Sequence, residues 1–89
     1  MNIDLKNSFL RDIKKITDPS LKEQIEQVIL SVKKTCKASD IPELKKLKGF
    51  KVFYRIKLGN YRIGVAIKND TVIFAAFAHR KDFYKSYPS

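Results

Sequence analysis

Arg55, Lys57, Arg62 and His79 have the types and spacing to work on a phosphate. Arg55 and Lys57 stand two apart in VFYRIKL, Arg62 follows in YRIGVAI, and Gly59-Asn60 separates the two runs. Side chains two apart on a strand share a face. A two-residue turn at 59–60 sets Leu58 opposite Tyr61, Lys57 opposite Arg62, Ile56 opposite Ile63 and Arg55 opposite Gly64. One face then carries Phe53, Arg55, Lys57, Arg62, Gly64 and Ala66. Like charges directly opposite one another destabilise a strand pair, so Lys57 against Arg62 does not serve stability. Fixed cations beside the small residues Gly64, Ala66 and Ala75 make a shallow depression suited to a phosphate. The plainer alternative is an exposed face of splayed, solvated side chains. A second turn, at Asn69-Asp70, sets Val65 opposite Phe74, Gly64 opposite Ala75 and Arg62 opposite Phe77. By parity His79 then follows Phe77 onto the Arg62 face, provided that no bulge intervenes.

Other chemistries find little support. No group of His, Cys, Asp and Glu has metal-ligand spacing, no glycine-rich phosphate loop is present, and the acids are too scattered for a catalytic pair. The sequence therefore points to no metal and no cofactor. Cys36 has no base partner in view and reads as structural. Tyr54, Tyr61 and Tyr87 read as packing residues. Tyr84 stands apart because it sits in the basic tail HRKDFYKSYPS, where a ring can stack on a nucleobase.

These residues need a frame, and the chain is long enough for only one small domain. Residues 9–16, with Ser8 as N-cap, place Phe9, Leu10, Ile13 and Ile16 at helical spacing. Asp18 followed by Pro19 reads as N-cap and first helical position of a second helix, which runs to about Lys34. Its apolar face is Leu21, Ile25, Val28, Ile29 and Val32. Residues 37–50 read as a connection. The period then changes to two, and 52–58, 61–67 and 71–78 read as three strands rich in β-branched and aromatic residues. Asn2–Leu5 alternates weakly, as a short edge strand would, and the tail has room for one helical turn. The prediction is an α+β fold, with two N-terminal helices packed on one face of a small antiparallel sheet. That sheet is a three-strand meander plus the short N-terminal edge strand.

Charge narrows the partner. The chain carries 19 basic and nine acidic residues, a net of +10. Residues 44–89 hold eleven basic and two acidic side chains, a net of +9, and no acid lies between Glu43 and Asp70. An excess confined to one half predicts an anionic partner for that half. The longest apolar run, residues 72–78, is far short of the ~18 residues that span a membrane. The first residues lack the apolar core of a signal peptide, and a single cysteine makes no internal disulfide. Together these predict a cytoplasmic protein.

LKGFKVFYRIKLGNYRIGVAI, followed by an apolar strand and AHRKDFY, resembles the RelE/ParE superfamily of bacterial toxins over nearly the whole chain. The resemblance implies a single RelE-like toxin domain over residues 1–89, held silent by a cognate acidic antitoxin that associates fast and salt-sensitively. In the RelE-like branch it implies a ribosome-dependent endoribonuclease that cleaves mRNA in the ribosomal A site. In the ParE-like branch it implies a gyrase inhibitor that cuts no RNA. Carried over by motif, the catalytic set is Arg55, Lys57, Arg62, His79, Arg80 and Tyr84. The chemistry is attack of the RNA 2′-OH on the adjacent phosphate, without a metal. Arg62 then holds the scissile phosphate and Arg55 binds phosphate. Arginine stays protonated, so Lys57 and His79 are the candidate base and acid, in either order. Arg80 supports the leaving 5′-oxygen and Tyr84 stacks on a base. Lys45, Lys46, Lys48, Lys51 and Lys81 are the candidate RNA contacts. A double-stranded-RNA-binding domain fits less well, because its closing helix is longer than the tail after Ala78.

Overall fold

The computed structural model describes residues 1–88; Ser89, where the expected domain ends, lies outside the described residues. Along the chain come β1 (Asn2–Leu5), α1 (Asn7–Lys14), α2 (Pro19–Lys34), β2 (Leu44–Lys46), β3 (Phe53–Leu58), β4 (Tyr61–Lys68), β5 (Thr71–His79) and α3 (Arg80–Ser86). The fold is α+β, and its sheet has five strands in the order β1-β5-β4-β3-β2. The sheet is mixed, since β1 runs parallel to β5 while the other pairs are antiparallel.

Sequence signals account for most of these elements. The Asp18 carboxylate accepts from the Ser20 amide at 2.9 Å, and Pro19 supplies the fixed φ of a first helical residue. Ile25 and Val32 of α2 and Phe9 of α1 are buried against Ile56, Ile63, Val65, Val72 and Phe74 of the sheet. The Phe9 and Phe74 rings meet at 5.5 Å. Gly59 takes the left-handed conformation, φ 58°, that closes the β3–β4 hairpin.

Four expectations need correcting. α1 begins at Asn7, and its N-cap is Lys6, not Ser8. The Ser8 hydroxyl is engaged elsewhere and donates to the Ala75 carbonyl at 2.6 Å. Within the predicted connection, Leu44–Lys46 pairs with β3 as a fifth strand. Three residues, two of them lysines, are too few to display a period of two. The tail forms a seven-residue helix, not a single turn, and Phe83 and Tyr87 pack it on the sheet face away from α1 and α2.

The fourth correction is a bulge. The β3–β4 register is the expected one throughout. In β4–β5, Val65 faces Phe74 as expected, but Gly64 faces Ala76, so Ala75 is an extra residue. Beyond it each partner shifts by one and each side chain changes face. Arg62 therefore faces Ala78, not Phe77, and His79 faces Tyr61. Side chains supply hydrogen bonds around the interruption. Besides Ser8, the Asp12 carboxylate accepts from the Phe77 amide at 3.0 Å, and the Tyr87 hydroxyl donates to the Val65 carbonyl at 2.6 Å. Ser8 and Asp12 stand four apart on α1, so one helix face serves two bonds at the bulge.

This arrangement gives a stability prediction. Asp12→Ala leaves a partly buried amide without its acceptor, at a cost of about 1–3 kcal/mol. Thermal unfolding should show the midpoint falling by roughly 4–8 °C for each kcal/mol, while Asp12→Asn, which keeps an acceptor oxygen, recovers most of the loss. A midpoint unchanged in Asp12→Ala would mean that water replaces the carboxylate.

Candidate functional site

β2, β3 and β4 lay their bases out in two rows. Lys45 pairs with Arg55 in the first, and Lys57 pairs with Arg62 in the second, next to the Gly59-Asn60 turn. Arg55, Lys57 and Arg62 thus share one face as expected, and Lys45 joins them. Both arginines are braced on backbone oxygens. Arg55 Nη1 donates to the Glu43 carbonyl at 2.8 Å, and the Lys57 amide donates to that same oxygen at 3.2 Å. Glu43 sits at φ 61°. Arg62 Nη1 donates to the Gly59 and Tyr61 carbonyls, each at 2.9 Å. A guanidinium carries five N–H donors, so this bracing leaves others to meet an anion. Lys57 is exposed, and among the described residues its ammonium has no hydrogen-bond or ion-pair partner. The one ion pair among them, Lys85 with Asp82 at 3.8 Å, lies on α3.

α3 brings the tail residues to the same place. The Arg80 amide donates to the Asn60 carbonyl at 2.8 Å, so Arg80 and Arg62 are pinned to adjoining carbonyls of one turn. Arg80 and Tyr84 stand four apart and share a flank of α3. Ser86, on the other flank, lines a cavity of about 380 Å³ with Ala75 and Ala76 of β5. Through its amide bond the Arg80 end of α3 is held at the β3–β4 turn, and Tyr84 follows one helical turn further along. Tyr84 is 59% exposed, with its ring edge-on to Phe83 at 5.0 Å.

His79 does not join this cluster. The bulge turns it to the α1/α2 side, where its ring stands edge-on to Tyr61 at 5.5 Å. Its Nδ1 accepts from the Lys81 amide at 3.2 Å and caps α3. The expected depression is not open either. Tyr87 and Phe83 are packed into it, and burial pushes the Tyr87 phenol well above its ordinary pKa. Among the candidate RNA contacts, Lys48 and Lys51 are exposed in the connection between β2 and β3, and Lys81 is exposed on α3. Lys46 pairs with Tyr54 and so belongs to the other face. Tyr87 carries more of the local architecture than residue type and spacing revealed. The signal for Tyr87 was the glycine at position 64, a small residue facing a large one. Among the described residues no helix is long and apolar enough to cross a membrane.

Comparison with known proteins identifies the family and the fold. The family model described as the ParE toxin of type II toxin-antitoxin systems, parDE, matches residues 3–84. Toxin RelE3 of Methanocaldococcus jannaschii is 33% identical over 89 residues, which cover 99% of this chain and 100% of that relative. The RelB-RelE antitoxin-toxin complex from Methanococcus jannaschii contains a chain that superposes with a TM-score of 0.80 at 30% identity, covering 96% of this chain and 99% of that one. A chain of the intact E. coli RelBE complex gives 0.69 at 20% identity, with 88% and 94% covered, which shows the shared fold. The chain belongs to the RelE/ParE superfamily, the toxins of type II toxin-antitoxin systems.

Proposed function

We propose that this toxin is a ribosome-dependent mRNA endonuclease, acting in the cytoplasm as one domain over the whole chain. The observation that carries the reading is the meeting of Lys57, Arg62 and Arg80 at the Gly59-Asn60 turn, with Tyr84 exposed one helical turn after Arg80. Cleavage by the RNA's own 2′-OH needs a base for that hydroxyl, cations for the phosphorane and support for the departing 5′-oxygen. Lys57, in its neutral amine form, takes the proton and becomes an ammonium, since both neighbouring arginines stay protonated and have no lone pair to offer. Arg62 and Arg55 hold the phosphate, and electrostatic stabilisation of developing charge is commonly the largest single catalytic effect. Arg80 supports the 5′-oxygen, and Tyr84 stacks on a base. His79 acts through α3, as its cap, and not on the RNA. Lys45, Lys48, Lys51 and Lys81 hold the surrounding backbone phosphates by charge.

The solved RelB-RelE complex supports a cognate antitoxin as partner, and the basic face calls for an acidic one. In a purified translation system, primer extension should find mRNA cut at the ribosomal A site. The products should carry a 2′,3′-cyclic or 3′-phosphate and a 5′-hydroxyl. Cut ends bearing a 5′-phosphate would overturn the mechanism, and intact mRNA would overturn the reading.

The matched ParE family model supports a second reading, a gyrase inhibitor without chemistry of its own. Double-strand DNA breaks with intact mRNA in bacteria expressing the toxin would decide for it.

A further inference from the structure

We infer that Tyr87 is a positioning residue, which latches α3 to the sheet over Gly64 and so holds Arg80 and Tyr84 beside the cationic face. α3 has seven residues, whereas isolated helices shorter than about 12–15 residues are marginal in water. Its place is therefore set by anchors. At its start the Arg80 amide is bonded to the Asn60 carbonyl. At its end stands Tyr87, the C-cap residue, only 6% exposed.

The seat of Tyr87 is specific in two ways. Its hydroxyl donates to the Val65 carbonyl at 2.6 Å, beside the β-bulge. Its ring lies so close over Gly64 that a Cβ there would stand 2.8 Å from Cγ and Cδ2 and 2.9 Å from Cδ1. Real Cβ atoms essentially never make such contacts, so the ring and any side chain at position 64 exclude each other. Gly64 is not at a positive φ, so its smallness serves the ring and not the backbone. Phe53 at 5.8 Å and Phe83 at 5.3 Å complete the seat.

The effect on cleavage rests on the endonuclease reading, but the latch itself is tested without it. Amide hydrogen exchange is measured on the full chain for Tyr87→Phe, Gly64→Ala, Tyr87→Ala and the Gly64→Ala/Tyr87→Ala pair. Exchange over residues 80–86 should rise in each single variant, least in Tyr87→Phe, which keeps the ring. Amides of Val72 and Phe74 in the core should keep their protection. Gly64→Ala should add nothing in the Tyr87→Ala background, because the ring it collides with is gone. In single-turnover cleavage, kcat should fall about a hundredfold for Gly64→Ala and Tyr87→Ala at near-constant KM, as small misplacements of reacting groups do. Tyr87→Phe should lose roughly tenfold or less.

Unchanged exchange over α3 in Tyr87→Phe and Tyr87→Ala would overturn the latch, as would an additive effect of Gly64→Ala on Tyr87→Ala. If Gly64→Ala unfolds outright, Tyr87→Phe against Tyr87→Ala still decides. A parent protein that cuts no mRNA would sink the endonuclease reading while the exchange results judge the latch separately.

Discussion

Lys57→Met is expected to leave a well-folded protein that no longer cuts mRNA. Lys57 is exposed, and among the described residues its ammonium makes no bond, so its removal breaks no native contact. Its cross-strand partner is Arg62, and relief of that like-charge pair is worth roughly 0.2–1 kcal/mol. The unfolding midpoint should therefore hold or rise slightly. Activity should move far more, since a positioned general base contributes about 10²–10⁴ in rate. Lys57→Arg separates the two roles open to the lysine. Arginine keeps the positive charge and does not give up its proton, so ribosome binding should stay near that of the parent while cleavage stays lost. Single-turnover cleavage and ribosome binding on the same preparation make the test. If Lys57→Arg cuts at the parent rate, Lys57 serves as a phosphate cation and the base lies elsewhere.

The cationic face was legible because it depends on local rules. A two-residue turn fixes the β3–β4 register, so Lys57 against Arg62 and Arg55 against Gly64 follow from spacing alone. α2 was equally open to reading, as Asp18-Pro19 and a long apolar stripe act within one element. The position of His79 was not legible. It depends on whether Ala75 pairs or bulges, and that is decided by Ser8, Asp12 and Tyr87, which lie far along the chain from it or on other elements. One extra residue reverses the alternation, so a single long-range event moved His79 from the phosphate face to the cap of α3. The same blindness applied to Tyr87. Gly64 and its small neighbours look like an empty depression until the tail is folded back over them. Bracing of the arginines was likewise hidden, since the carbonyls that hold Arg55 and Arg62 belong to a connection and a turn.

That bracing shapes the expected outcome for Arg62→Ala. The substitution loses two hydrogen bonds, to the Gly59 and Tyr61 carbonyls, whose net worth is about 1 kcal/mol each at most at a partly exposed site. It also relieves the contact with Lys57, worth roughly 0.2–1 kcal/mol in the other direction. The balance is a net loss of at most about 2 kcal/mol, so the midpoint should hold or fall by roughly 4–8 °C for each kcal/mol lost, with the fold intact. Loss of a preorganised donor to developing oxyanion charge costs about 10²–10³ in rate. Activity should thus collapse while the fold stands. Arg62→Lys restores charge without the planar fork, and one ammonium does not reproduce a guanidinium that braces the turn and meets a phosphate together. It should recover ribosome binding more than cleavage. Arg80 provides the sharper check, because its amide is bonded to Asn60 next to the Gly59 oxygen that Arg62 holds. Two guanidiniums serving the same phosphate do not act independently, so Arg62→Ala and Arg80→Ala should be non-additive in cleavage by a factor well above experimental error. Strict additivity would mean that the two arginines act apart, and normal cleavage by Arg62→Ala would remove the phosphate from this end of the sheet.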